Sequence, residues 1–113
     1  MGSFNIELDH ANKILKAKVE GTFSTEDGMK SVEAYQKSIA GLNVPDYEID
    51  IDCTQLNVSA PETLPILEAC FNMYKNDGFK KVTLRLVKNP ILKMQLARVA
   101  RAVQLSSYDI IEV

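Results

Sequence analysis

The chain has 113 residues, of which 46% are hydrophobic and 25% charged, a composition typical of one globular domain and unlike that of disordered or membrane-spanning chains. Its net charge of −2 is unevenly distributed, because residues 1–78 carry 13 acidic and 6 basic side chains whereas residues 79–113 carry 2 acidic and 7 basic ones. This split favours oriented association with a partner or with a second copy of the chain; the alternative is that folding spreads the charges around the surface.

The first part of the chain predicts an antiparallel hairpin. Apolar residues alternate with polar ones from Phe4 to Leu8 and again from Leu15 to Phe23, which is the pattern of strands with one buried face. The polar segment 9–12 between them has turn chemistry.

A helix is predicted to begin after Ser24, whose hydroxyl can cap it and which is followed by acidic residues in the first turn. Gly41 suits the left-handed position after its end. The residues spaced for its inner face are Met29, Val32, Tyr35 and Ile39.

The central strand is the clearest element. Residues 47–53 alternate strictly between apolar and acidic side chains, and a polar turn is predicted to follow. Ser59 and Glu62 resemble a capping box, but a helix starting there would place Pro65 in its second turn. We therefore expect a shaped loop over Val58–Glu62 and a helix from about Thr63 to the turn at residues 76–78. The residues predicted for its core stripe are Leu64, Leu67, Cys70, Phe71 and Tyr74.

A fourth strand is predicted over residues 82–86. Asn89 followed by Pro90 is a helix start, and the third helix is expected to continue to about Gln104. Its inner stripe consists of Leu92, Leu96, Val99 and Val103. Residues 108–113 can form a last strand.

This order predicts a single α/β domain over residues 1–113, with a mixed, mostly parallel sheet in the order ββαβαβα and a possible final strand. The outward positions of most strands are polar, as Lys16, Asp50 and Arg85 illustrate. A parallel sheet covered on both sides would be apolar throughout, so the helices are predicted to lie on one face.

The order of elements and the turn after the central strand resemble the STAS family, the sulfate transporter and anti-sigma-factor antagonist domains. Asp52 matches the family's Asp at the end of the central strand, and Leu64 and Leu67 match its helix leucines. Residues 60–63 fall over the family's Asp-Ser-Ser-Gly loop, with Glu62 at the place of the phosphorylatable serine and Ser59 and Thr63 as neighbours. The resemblance implies a STAS-like fold and a regulatory module that binds a protein partner.

Candidate chemical sites are few. The carboxylates at positions 48, 50 and 52 could bind a cation, but lysines and an arginine on neighbouring strands are expected to pair with them instead. Cys53 and Cys70 fall on apolar positions and are interpreted as reduced core residues. The only histidine, His10, lies in a turn, and no glycine-rich phosphate loop is present. We therefore predict no catalytic residues, no metal and no cofactor.

The third helix has a second face, formed by Ile91, Met94, Arg98 and Arg101 with Leu105 near its end, and its Met and Arg content is typical of an interface. The alternative is that Ile91 and Met94 pack against the second helix. The basic residues could contact phosphates, but no aromatic platform accompanies them and the chain is acidic, so nucleic acid is not expected as a partner.

The leading hypothesis is a non-enzymatic, cytoplasmic module that docks a protein partner through the loop over residues 53–66 and the following helix, and that also forms a two-fold homodimer. The rival is a carrier of a small molecule or lipid, with a pocket between the second and third helices. No apolar run reaches the roughly 18 residues of a membrane span, and no signal-peptide pattern opens the chain, so no membrane partner is expected. The predicted partner-binding residues are Asp52, Ser59, Glu62, Thr63, Ile66, Met94 and Arg98.

Overall fold

A computed structural model describes residues 2–57, 61–105 and 107–113 of the chain. Five strands form one sheet: β1 (Ser3–Asp9), β2 (Ile14–Gly21), β3 (Glu48–Leu56), β4 (Val82–Leu86) and β5 (Tyr108–Glu112). Three helices connect the last four strands: α1 (Thr25–Ile39), α2 (Leu64–Asp77) and α3 (Pro90–Ala102). Two short 3₁₀ turns, Val44–Asp46 and Pro61–Thr63, precede β3 and α2.

The sheet follows the chain order, β1-β2-β3-β4-β5. β1 pairs antiparallel with β2, and each later strand pairs parallel with its predecessor. The predicted mostly parallel α/β sheet with one antiparallel edge strand is therefore confirmed, and the expected final strand is β5.

The core lies on one face of the sheet. Ile49 and Ile51 of β3 stand beside Val82 and Leu84 of β4 in register, and all four are buried. The same cluster contains the buried residues of the helices, including Tyr35, Phe71, Leu92, Leu96 and Val99. As predicted, the helices cover this face and leave the other one polar.

Helix ends follow the predicted chemistry. Ser24 and Asp27 form a reciprocal capping box at α1, and Asn89 accepts a hydrogen bond from the Leu92 amide at α3. Gly78 ends α2 in the left-handed conformation, with a φ of 83°. Such caps satisfy backbone groups that a helix end would otherwise leave unpaired.

Three predictions about element bounds and faces are wrong. β3 continues to Leu56, beyond the predicted end at Cys53, because β2 still pairs with it there after a register shift between Lys18 and Glu20. α3 ends at Ala102, and Gln104 has a φ of 59° that a helix cannot accommodate. Met29, expected on the inner face of α1, is 62% exposed.

Candidate functional site

The candidate functional surface lies at the end of the sheet where the parallel strands finish. β2, β3, β4 and β5 run in the same direction, and α1, α2 and α3 each begin shortly after one of them. The three helix N-termini and the loop after β3 therefore share one end of the molecule. In open α/β sheets this is the end at which binding sites are usually built.

The start of α1 is held firmly. The Asp27 side chain accepts hydrogen bonds from the backbone N–H groups of Ser24 (3.1 Å) and Gly2 (3.2 Å), and these bonds lower the pKa of its carboxyl group. The Ser24 hydroxyl accepts the Asp27 N–H in return at 3.1 Å. The first turn of α1 is thus fixed both to the preceding loop and to the start of β1.

The start of α2 has the shape that its proline requires. The 3₁₀ turn Pro61–Thr63 leads into the helix, and Pro65 occupies the first turn, where its missing N–H leaves no hydrogen bond unmade. The predicted start near Thr63 is confirmed. Thr63 is buried, whereas Glu62 points to the surface.

Glu62 and Thr63 line a surface groove of about 540 Å³ together with the start of α1. Glu26 and Lys30 on this side form an ion pair at 3.3 Å, and Asp27 is occupied by its capping bonds. Within the described ranges, no side chain forms an ion pair with Glu62. Among the described residues of the groove, the Glu62 carboxylate is therefore the one that a partner can bind without breaking an ion pair or a capping hydrogen bond.

An apolar cavity of about 90 Å³ adjoins the groove. It lies between α1, α2 and the buried face of β2 and β3, and Phe23, Ser24 and Thr63 line both spaces. Its apolar lining includes Val19, Ile51, Leu56, Ile66, Leu67, Phe71, Tyr74, Leu84 and Leu96. The carrier hypothesis places a pocket between α2 and α3, where the described residues form a surface groove that includes Glu68, Asn72 and Gln104. The apolar cavity lies instead between α1, α2 and the sheet.

Both cysteines line the cavity as free thiols. Burial raises the pKa of Cys53 to about 12 and that of Cys70 to about 11. Since the thiolate is the nucleophilic form, neither thiol is activated at neutral pH. As predicted, Cys53 lies in the core and Cys70 packs against it.

Ile66 is half-buried and packs against α1. A Cβ atom added to Gly28 would stand 2.3 Å from Cγ2 of Ile66, which means that this side chain fills the space that the glycine leaves. Ile66 is therefore a helix-packing residue and a wall of the cavity, not a freely exposed contact for a partner.

Asp52 lies apart from the groove, on the polar face of the sheet and four residues before the end of β3. Its carboxylate accepts hydrogen bonds from the Thr54 backbone N–H (2.9 Å) and hydroxyl (2.6 Å), and these bonds lower its pKa. The fold thus brings Glu62 and Thr63 together but places Asp52 on another surface.

Of the three carboxylates at positions 48, 50 and 52, Asp50 forms an ion pair with a cation on a neighbouring strand, as expected. Arg85 on β4 binds both carboxylate oxygens of Asp50, each at 2.9 Å from its Nε. Lys16 and Lys18 stand beside Asp50 and Asp52 in register. Among the described residues, no group of three or more His, Cys, Asp or Glu side chains is arranged to hold a metal ion.

The outer face of α3 is exposed. Ile91 is 57% and Met94 51% exposed, and Arg98 and Arg101 lie on the surface as well. The alternative in which Ile91 and Met94 pack against α2 is therefore wrong, because Leu92, Leu96 and Val99 already fill the inner side of α3. Leu105 is buried and does not belong to this face.

These exposed apolar residues share the end of the sheet at which the groove lies. Ile91 and Met94 are in the first two turns of α3, and Met29 occupies the same position in α1. Val87 and Val113 follow β4 and β5 directly and are exposed too. Apolar side chains collected at one end are typical of an interaction surface.

Sequence reasoning misses the contribution of α1 to this site. Phe23, Ser24, Gly28 and Lys30 line the groove or the cavity, whereas the sequence pattern marks this stretch only as a strand end and a helix start. The predicted topology does contain a signal for this contribution. Because β2 and β3 are parallel neighbours, the segments that follow them, residues 22–24 and the loop after β3, must lie at the same edge of the sheet. Ser59 falls outside the described residues.

No protein-family model and no curated protein sequence matches this chain. Among solved structures, it is similar to an uncharacterised protein of the DUF3478 family from Shewanella loihica PV-4, which has a SpoIIAA-like fold. The two share 20% sequence identity with a TM-score of 0.70, over 99% of this chain and 86% of the other. The chain therefore has a SpoIIAA-like fold, as the resemblance to anti-sigma-factor antagonist domains implied. In the part of the chain that the structure describes, no helix is both long and apolar enough to cross a membrane.

Proposed function

We propose that this protein is a non-enzymatic, cytoplasmic regulatory module that docks a protein partner through the groove between Glu62 and the start of α1. The observation that carries the proposal is the exposed Glu62 at the mouth of a groove, on a fold that resembles anti-sigma-factor antagonists. The apolar residues around the same end supply area that a partner can bury.

In this proposal, Glu62 supplies a permanent negative charge at the position where STAS proteins are regulated by phosphorylation of a serine. The STAS resemblance aligns Glu62 with the family's phosphorylatable serine. Glu62 also lies just before the N-terminus of α2, where negative charge is favourable. A glutamate carries one negative charge, whereas a phosphate carries up to about two and three acceptor oxygens. The module therefore remains permanently in a state that partly mimics the phosphorylated form. Mass spectrometry of the protein from its native cells should find Thr63 and Ser59 unmodified, and stoichiometric phosphate on either would overturn this part of the proposal.

Charge reversal at the groove tests the docking surface. The protein and its Glu62→Lys variant are used to capture partners from the cells in which the chain is native. A partner retained by the parent protein should be lost from the variant. Glu7→Lys makes the same change of net charge on exposed β1, away from the groove, and should retain it. Equal capture by all three proteins would refute the docking surface.

A carrier of small apolar molecules is the second candidate, and the cavity between α1 and α2 favours it. Its volume of about 90 Å³ is small beside the roughly 300–1,000 Å³ typical of pockets for drug-sized ligands. Native mass spectrometry of gently purified protein separates the two functions, because a carrier should arrive with a bound adduct of defined mass.

We also propose that the outer face of α3 joins two copies of the chain. Met94 and Ile91 supply apolar area there, and Arg98 and Arg101 supply positive charge that can meet the acidic N-terminal part of the mate. Closed two-fold dimers are the commonest soluble oligomers.

A further inference from the structure

The cavity between α1 and α2 has the size of one aliphatic side chain. An apolar cavity of about 150 Å³ in another protein holds benzene, with its six carbon atoms. On that scale, the cavity of about 90 Å³ holds roughly four carbons, the number in a leucine or isoleucine side chain. Its walls are those of a well-packed core, among them Ile51, Leu67 and Phe71.

The cavity adjoins the proposed docking groove. Phe23, Ser24 and Thr63 line both spaces, so these three residues form the boundary that a group from the groove would cross to enter the cavity. Ser24 is the N-cap of α1 and Thr63 the N-cap of α2, so the boundary includes the starts of two helices.

The charge of the groove selects between the sources of an aliphatic group. The groove is lined by three carboxylates, Glu26, Asp27 and Glu62, and by one ammonium group, that of Lys30. A fatty acid or phospholipid would bring its own negative charge to this negative entrance and be repelled. A polypeptide with a lysine or arginine beside the aliphatic residue would instead place a cation against Glu62.

We propose that the docked protein inserts one leucine-sized side chain into this cavity, with a neighbouring lysine or arginine paired to Glu62. This inference rests on the proposed docking function and names the partner chemistry that the site recognises. A buried aliphatic anchor inside a rim of polar contacts is the usual arrangement of a binding hot spot.

Selection of random peptides against the 113-residue protein tests the proposal before the natural partner is identified. The selected peptides should share an aliphatic residue with Lys or Arg within two positions of it. In the best peptide, Leu→Ala should weaken binding at least tenfold, because the lost methyl groups leave the cavity empty. Peptides without a common aliphatic residue, or a Leu→Ala peptide of equal affinity, would refute the anchor.

The thiol of Cys70 reports directly on occupancy in the unaltered protein. Cys70 lines the cavity and is partly exposed, so a seated side chain should slow its alkylation by iodoacetamide severalfold. The Leu→Ala peptide should give no such protection. An alkylation rate unchanged by a saturating peptide would contradict insertion, and so would displacement of the peptide by micromolar decanoate.

The two proposals fail differently. Loss of the captured partner from Glu62→Lys, combined with an unprotected Cys70, would support the docking surface and refute the anchor. Protection of Cys70 by the peptide, combined with unchanged capture by Glu62→Lys, would support the anchor site and refute the docking surface.

Discussion

The contact between Gly28 and Ile66 sets the distance between α1 and α2. In an exposed helix, exchange of glycine for alanine stabilises the helix by about 1 kcal/mol. At Gly28 the new methyl group would lie 2.3 Å from Cγ2 of Ile66, an atom fixed close to its own backbone. We expect Gly28→Ala to destabilise the protein by about 1–3 kcal/mol, as overpacked cores do.

Urea denaturation of a double-mutant cycle checks this expectation. Ile66→Ala should cost stability alone but remove most of the penalty when combined with Gly28→Ala, since the clashing atom is gone. Additive effects of the two substitutions would show that the clash is relieved in some other way.

Asp52 gives a pH-dependent prediction on the polar face of the sheet. Its hydrogen bonds from Thr54 hold its pKa below the usual value for an aspartate. This contribution to stability is therefore present above the pKa of the unfolded chain, about 3.9, and is lost as the pH falls toward the lower pKa of the folded state.

The free energy of unfolding of Asp52→Asn should therefore fall less than that of the parent protein between pH 5 and pH 2. Thr54→Val removes only the hydroxyl bond and should give an intermediate profile. The same acid profile for all three proteins would contradict the assignment. Because Asp52 lies away from the groove, Asp52→Asn should also leave partner capture unchanged.

At the scale of elements, the N-cap of α3 stabilises the first turns of the helix, which carry the exposed residues Ile91 and Met94. The Asn89 side chain accepts the Leu92 N–H at 3.1 Å, and Pro90 follows at the first helical position. Asn89→Ala should lower the free energy of unfolding by about 1 kcal/mol. Asn89→Asp should lower it much less, because aspartate also accepts the capping hydrogen bond. Urea denaturation of both variants measures the difference, and equal losses would show that the cap contributes nothing.

The sequence patterns predict the elements well wherever side-chain chemistry is local. Alternation locates β1, β3 and β4, and caps such as Ser24, Asn89 and Gly78 locate the helix ends. The inner side of α1 is only partly predicted, because one of the buried residues that face α2 is Gly28, which has no apolar side chain to mark the face.

The candidate site is predicted less completely than the fold. Glu62 and Thr63 are identified from the loop after β3, and they do line one groove. Asp52 is grouped with them because the strand is expected to end near it, whereas β3 continues to Leu56. The predicted pocket between α2 and α3 corresponds to a surface groove, and the apolar cavity lies between α1 and α2. The sequence does not locate this cavity, since the space left between packed helices depends on side-chain volumes at several distant positions and not on a periodic pattern.

At the scale of the whole molecule, we expect self-association through α3. Charge attraction alone is screened beyond about 8 Å at physiological salt, so the apolar area of Met94 and Ile91 must hold the contact. Sedimentation at tens of micromolar protein should show a dimer for the parent protein and a monomer for Met94→Glu. Met29→Glu is the matched control, because Met29 is also an exposed methionine, at 62% against 51% for Met94, and lies on a different helix.

A parent protein that is fully monomeric at low salt would refute self-association. If Met94→Glu is still a dimer, self-association is supported but the interface does not include the outer face of α3.

Site-specific photocrosslinking in the native cells tests the central claim, which is that a partner occupies the groove at Glu62. A benzophenone amino acid is placed at positions 25 and 30 on the α1 side of the groove, which leaves Glu62 unchanged, and at position 7 on β1. We expect positions 25 and 30 to crosslink to the same protein and position 7 not to crosslink to it. Crosslinks to that protein from position 7, with none from positions 25 and 30, would contradict the claim.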